Sequence, residues 1–342
     1  MPEKNKIYTA EITGLTSEGS GVCRIENMAV FVPETAVGDV ADIKIVKVLS
    51  SYGFGIVDKL ITPSPDREIR QCGAYKKCGG CVYRHISYEA ECQAKADTVK
   101  STFERIGGLS PEYDEFIPSD NSDRYRNKAQ YPLASVDGKA VCGFYAPRSH
   151  RVIPIEDCPL QPEIFSSITA DILEFINKKK LPVYDESKGT GIMRHIYLRK
   201  GAYSNEIMVC LVVRKDMSRQ LASLCRVLAE KFPNIKSIVM NINPDKTNVI
   251  LGAECVTLWG SDTIYDTMSG NKIEISPLSF YQINTPQAER LYEKALEYAA
   301  PEGNEIIADL YCGAGTIGLS MAHKAKKIVG IEIIPEAVEN AK

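Results

Sequence analysis

The chain has 342 residues, 44% of them hydrophobic and 25% charged, with a formal net charge of −3. That length supports two or three domains with separate cores, and the composition excludes a disordered or fibrous chain. No run is apolar for long enough to cross a bilayer, and MPEKNKIYTA lacks the basic flank and apolar core of a secretory signal, so a cytoplasmic protein with no membrane partner is expected.

Five short runs come first: IYTAEITGL, GVCRI, MAVFVP, DVADIKIVKVL and YGFGIVDKL, broken by Ser, Gly, Asn and Pro. Apolar or alternating segments so closely spaced predict a small closed barrel of OB type over residues 1–62. ITPSPDRE then reads as a linker. SYEAECQAKADTVKSTFERI has helical spacing and stops at Gly107–Gly108. From Tyr125 to Val256, strands (AQYPLASV, AVCGFYAP, GIMRHIYLRK, EIMVCLVVR, SIVMNINP) mix with two helical runs, FSSITADILEFINKK and MSRQLASLCRVLAEKF. The pattern predicts an α+β domain over 63–260. From 261 onward, a hairpin around Ser269-Gly270-Asn271 precedes a helix capped by Thr285 with Pro286 in its first turn. A strand, glycine loop, helix, strand and helix follow, the pattern of an α/β Rossmann-like domain.

Eleven cysteines in a long chain without a signal point to metal binding or buried thiols rather than a disulfide framework. Cys72, Cys78 and Cys81 form C-x5-C-x2-C on a loop eased by Gly73, Gly79 and Gly80, and Cys158, followed by Pro, is the candidate fourth ligand. Four thiolates suit an iron–sulfur cluster or a closed zinc site, and the spacing alone separates neither. Cys23, Cys92, Cys142, Cys210, Cys225 and Cys255 read as small core residues.

IIADLYCGAGTIG carries G-x-G-x-x-G at Gly313, Gly315 and Gly318, between a strand and a helix. A dinucleotide fold uses the same pattern. Asp309 ahead of the glycines, placed for the ammonium of a methionine moiety, and Glu332 at the tip of the next strand, placed for ribose hydroxyls, favour S-adenosylmethionine. Cys312 is expected to pack where the strand turns into the helix. From Arg124 to Lys215 there are about fifteen Lys/Arg against nine Asp/Glu, whereas from Ser261 about twelve acids face seven bases. The basic stretches Arg124–Lys128, Arg148–Arg151 and Arg194–Lys200 are therefore candidate RNA contacts, and Tyr83, Tyr125, Phe144 and Tyr145 candidate stacking or core aromatics.

Several blocks taken together, EGSGV, FVPETAVGD, CGAYKKCGGCVYRHISYEAECQAK, YRNKAQYP, GFYAPRSHRVIPIEDCPLQ, GIMRHIYLRK and SPLSFYQINTPQAERLY, resemble in content and order the bacterial iron–sulfur RNA (uracil-5-)methyltransferases of the 23S ribosomal RNA type. The resemblance implies a multi-domain protein: a TRAM barrel, a central α+β domain with an iron–sulfur loop, and over 261–342 the start of a class I methyltransferase domain. It implies a 4Fe–4S cluster on Cys72, Cys78, Cys81 and Cys158, and S-adenosylmethionine held by Gln282, Tyr311 and Glu332. It also implies methylation of uridine C5 in RNA, 23S rRNA before tRNA, through a cysteine adduct at C6; separately, a monomer is expected. The family's nucleophilic cysteine and base lie beyond the second methyltransferase strand, so no catalytic residue is assigned, and the chain is expected to be C-terminally truncated and inactive alone. The competing expectations are a non-catalytic RNA-binding iron–sulfur module and an NAD-linked oxidoreductase.

Overall fold

The computed structural model describes residues 1–69 and 72–341. By contacts the chain divides into two compact units, Met1–Asp120 and Asn121–Lys342.

The first unit holds β1 (Ile7–Glu11), β2 (Gly14–Leu15), β3 (Gly21–Ile25), β4 (Met28–Val32), β5 (Val40–Val48), β6 (Tyr52–Thr62) and α1 (Tyr88–Arg105). Its strands form one six-stranded sheet in the order β1-β5-β6-β4-β3-β2, one more than the sequence pattern predicts because Gly14–Leu15 pairs with β3. Alternate residues of β3, β4 and β5 point inward and bury Cys23, Ile25, Val30, Val32, Ala41, Ile43 and Ile45 around Ile12. The chain leaving β1 crosses to β3, where Thr13 N–H donates to Val22 O at 2.8 Å, and this curls the sheet on itself.

Asp39, fully buried, fastens the following segment to this sheet. It accepts from Ala36 N–H at 2.6 Å, from Ser64 N–H at 2.9 Å and from two Arg67 nitrogens at 2.7 Å. His85 reaches Thr35 O at 2.9 Å and the Tyr75 hydroxyl at 2.7 Å. These ties are why the cysteine loop groups with the barrel by contacts, although in chain order it begins the segment expected to be a central domain. Ser87 caps α1 by accepting from Ala90 N–H at 3.1 Å, and the helix ends where Gly108 takes a positive φ of 63°.

The second unit contains β7 (Lys128–Val136), β8 (Lys139–Tyr145), β9 (Val152–Pro154), α2 (Glu163–Lys179), β10 (Met193–Lys200), β11 (Ile207–Val213), α3 (Ser218–Lys231), β12 (Ile235–Ile242) and β13 (Glu254–Gly260). The strands build a seven-stranded sheet, β13-β12-β11-β10-β7-β8-β9, in which only β11 and β12 run parallel. IMVCLVV of β11 is buried throughout, as expected for a central strand covered on both faces. Phe165, Ile168, Ile172 and Ile176 of α2 and Leu221, Leu224 and Leu228 of α3 recur at helical spacing and pack on one face of the sheet.

After the sheet come β14 (Ile264–Met268), β15 (Asn271–Ile275), α4 (Thr285–Ala299), β16 (Ile306–Leu310), α5 (Thr316–Met321), β17 (Lys327–Ile331) and α6 (Pro335–Ala341). The β14–β15 turn takes φ 49° at Ser269 and 78° at Gly270, a turn with both central residues left-handed. The N-cap of α4 is Asn284, which accepts from Gln287 N–H, rather than Thr285; Thr285 is the first helical residue and is fully buried. β16 and β17 pair in parallel as a separate two-stranded sheet that leaves Ile306, Leu310, Ile331 and Ile333 more than half exposed.

Of the scattered cysteines, Cys23, Cys142, Cys210 and Cys225 are core residues as expected. Cys255 is not: it lies exposed on the edge strand β13, where Asn241 Nδ2 donates to its sulfur at 3.2 Å. Cys92 is half-buried on α1. No described helix is long and apolar enough to cross a membrane.

Candidate active site

The glycine loop turns the chain from β16 into α5. Tyr311, Gly313 and Gly315 all take left-handed backbone angles, φ 60°, 56° and 74°. Glycine at the last two removes the steric cost of that path. Asp309 Oδ2 accepts from Gly318 N–H at 2.8 Å and so caps the first turn of α5. A Cβ at Gly318 would meet Ile328 Cγ2 at 2.8 Å and Asp309 Oδ2 at 3.0 Å, so glycine is what lets the helix sit this close to its strand. The carboxylate thus keeps one oxygen for a ligand while the other holds the loop.

Glu332 follows β17 directly. Its Oε2 accepts from Gly313 N–H at 2.9 Å, and its Oε1 accepts from Ile333 N–H at 2.8 Å and Ile334 N–H at 2.9 Å. The amides of Ile334 and Gly313 hold this carboxyl below the usual glutamate range. Tyr311 and Glu332 each follow one member of the paired positions Leu310 and Ile331, so both stand at the same end of the two strands. Tyr311 is 91% exposed, with its ring open to a ligand. Cys312 lies beside Gly330, where a Cβ would come within 2.9 Å of its sulfur; burial, Asp309 and Glu332 all raise its thiol pKa. It is a packing residue, as expected, and its environment opposes a thiolate nucleophile.

Gln282 sits in the loop between β15 and α4. Its carbonyl accepts from Asn127 Nδ2 at 2.7 Å, and the same amide donates to Thr285 Oγ1 at 3.0 Å. Arg199 donates to Ser279 O, and the Tyr281 hydroxyl donates to Asp266 Oδ2 at 2.9 Å. Asp266, almost fully buried, also accepts from the amides of Ala202, Tyr203 and Ser204. α4 approaches α5 through Tyr292 and Thr316, whose hydroxyls are 3.4 Å apart. Tyr311 and Glu332 are therefore brought together directly, whereas Gln282 is held from the central sheet and has no hydrogen bond to either among the described residues. Asn127 and Arg199 are the supports that sequence reading missed, because they are 155 and 80 positions away from their partners in the chain.

In the cysteine loop, Tyr75 N–H donates to Cys72 O at 3.1 Å, Cys78 N–H to Ala74 O at 2.8 Å and Gly80 N–H to the Cys78 sulfur at 3.3 Å. The cysteines at 72, 78, 81 and 158 are each partly exposed. Among the described residues no three His, Cys, Asp or Glu side chains gather as a metal site. Cys158 belongs to the second unit, between β9 and α2, where its carbonyl accepts from Arg124 Nη1 at 3.1 Å. Four partly exposed cysteines, one whose sulfur receives an amide, have the donor chemistry that an iron–sulfur cluster uses.

The expected RNA contacts divide between exposed and buried residues. Arg124 is exposed and grips Asp157 in a two-pronged pair at 2.6 and 2.8 Å. Arg194, 2% exposed, donates to Asn243 O and Asp245 O and lies over the Tyr184 ring. His195 is 4% exposed, and burial followed by the Arg194 charge pushes its pKa down to about 4. Tyr83 is buried and donates to Thr16 O, while Phe144 packs on Tyr131. Arg148 and Arg151 remain exposed.

Residues 3–57 match the family described as TRAM domain, and residues 77–342 match one described as DNA methylase. An uncharacterized RNA methyltransferase of Clostridium tetani is 41% identical over 340 residues, an alignment that covers 99% of this chain and 74% of the relative. One from Bacillus cereus is 40% identical over 341 residues, with the same coverage. Among solved structures, the Pyrococcus abyssi tRNA (uracil-54, C5)-methyltransferase in complex with S-adenosyl-L-homocysteine matches with a TM-score of 0.72 and 25% identity, covering 97% of this chain and 75% of that one. Fold and loop thus define a nucleic-acid methyltransferase, and the near-complete alignments decide for RNA. The chain belongs to the RNA methyltransferase family that begins with a TRAM domain.

Proposed function

We propose that the protein takes part in methylation of uridine C5 in RNA, with S-adenosylmethionine as donor, and acts in the cytoplasm as a monomer. The observation that carries the reading is the clasp between Glu332 and Gly313, which fixes a carboxylate beside a glycine turn with Tyr311 open next to it. Glu332 would accept the ribose hydroxyls, Tyr311 would cover the adenine side, and Gln282, held by Asn127, would orient the methionine end. The solved relative bound to S-adenosyl-L-homocysteine supports this donor over NAD.

Uracil C5 is a weak nucleophile, so the chemistry proposed is thiolate addition at C6, attack of C5 on the sulfonium methyl, and loss of the C5 proton with departure of the thiolate. Cys312, packed against Gly330 with two carboxylates opposing its thiolate, is not proposed for the thiolate role. Cys72, Cys78, Cys81 and Cys158 are proposed to hold a 4Fe–4S cluster, to which they would supply thiolate ligands. The resemblance favours 23S rRNA as substrate; the fold likeness to a tRNA enzyme supports tRNA as the second reading. Calorimetry with S-adenosylhomocysteine against NADH tests the donor: binding of NADH alone would replace the methyltransferase reading with an oxidoreductase.

A further inference from the structure

Three cations crowd the support of the Gln282 loop without a counter-charge. Arg199 of β10 and Lys128 of β7 are directly opposite in an antiparallel pair, so their side chains leave the same face of the sheet. Arg199 is 5% exposed; its guanidinium donates to the Tyr197 hydroxyl and Ser279 O, both neutral acceptors. Arg126, two positions before Lys128, has a buried Nε with no hydrogen-bond partner. None of the three forms an ion pair with a carboxylate among the described residues. Burial lowers the Lys128 amine, and the Arg199 and Arg126 charges lower it further, so all three lie within electrostatic reach of one another.

Like charges placed opposite each other destabilise a sheet, and burying them adds a desolvation penalty. An ordinary solvated face would spread such residues outward, and here Arg199 is inside. A fold keeps an arrangement of this kind at little cost when an anion completes it.

We infer that Arg126 and Lys128, with the charge of the buried Arg199 behind them, form a binding site for the phosphodiester backbone of the RNA, next to the nucleotide presented to the Gln282 loop. Two partly exposed cations backed by a third match successive phosphates of a polyanion better than the single carboxylate of the methyl donor. The wider surroundings agree, since Arg124–Lys215 carries about six more bases than acids. The inference rests on the RNA methyltransferase reading and specifies how the substrate is gripped.

The test uses the 342-residue chain and a fluorescein-labelled single-stranded oligouridylate, titrated over a range of salt concentrations. Arg126→Gln and Lys128→Gln should each flatten the slope of log affinity against log salt by about 0.7. Lys139→Gln, at an exposed lysine that opens β8, should leave it unchanged. Lys128→Gln should melt no lower than the parent, because a repulsion is relieved, which separates lost binding from lost fold. Unchanged slopes in both variants overturn the site, as does weaker S-adenosylhomocysteine binding with RNA binding intact, which would assign the cations to the donor carboxylate. A parent chain that binds S-adenosylhomocysteine but not oligouridylate also overturns the site and leaves the donor reading standing. Flattened slopes in a protein that fails to bind S-adenosylhomocysteine would sink the donor reading and keep the site.

Discussion

Asn127 Nδ2 lies 2.7 Å from Gln282 O and joins the first residues of the central sheet to the loop expected to hold the methyl donor. One buried amide thereby satisfies a loop carbonyl and the Thr285 hydroxyl at the start of α4. Asn127→Ala removes both bonds, at a cost of about 1–3 kcal/mol in urea unfolding. It should also weaken S-adenosylhomocysteine binding. An unaltered Kd would mean that the loop holds its shape without Asn127.

Glu332→Gln replaces a carboxylate that serves three backbone amides. The amide oxygen can keep some of those bonds, but the charge-assisted pairing with ribose hydroxyls is lost. The expected outcome is about tenfold weaker donor binding by calorimetry. Gly318→Ala should weaken donor binding by a different route, because its Cβ would press on Ile328 and Asp309. Overpacking of this kind costs about 1–3 kcal/mol and should appear as a lower melting temperature.

His195 gives a pH signature. Its folded pKa of about 4 lies below the ordinary 6.5, because burial and then Arg194 oppose its charge. The unfolded chain therefore takes up the proton first, and stability falls as pH drops from about 6.5 to about 4, by up to roughly 3 kcal/mol, with no further loss from this group below that. Urea midpoints at several pH values should show His195→Gln to be less sensitive than the parent across that window. Equal sensitivity would assign the acid response to other groups.

Asp39 acts in the first unit with its own sign. Burial raises its pKa, but the Arg67 hydrogen bonds and the Ala36 and Ser64 amides outweigh that and hold it below the usual range. Its contribution is present above the unfolded carboxylate pKa and disappears as pH falls through the lowered folded value. Asp39→Asn should cost about 3 kcal/mol, because Arg67 is left without its partner. Tryptic cleavage within 63–87 reads the loosened loop.

For the cysteines, anaerobically prepared protein should carry iron and sulfide, and Cys78→Ser should remove both, while Cys92→Ser, on the half-buried face of α1, should not. Iron retained at the parent level in Cys78→Ser would dismiss the cluster assignment.

Local periodicity and punctuation determined much of this protein from sequence alone. Alternation marked the barrel strands, helical spacing set α1, α2 and α3, and paired glycines after an apolar strand placed the turn that carries Tyr311. These features depend on neighbours within a few residues, where backbone sterics and side-chain period act. Tertiary structure decided the rest. Asn284 rather than Thr285 caps α4, and Thr285 is buried against Asn127, which lies far away in the chain just before β7. Arg194 and Arg199, which read as surface cations, are drawn inside by backbone carbonyls that only the folded sheet brings within reach. A residue's charge is written in the sequence, but whether it meets water, a carbonyl or another charge depends on contacts that form only when remote segments pack.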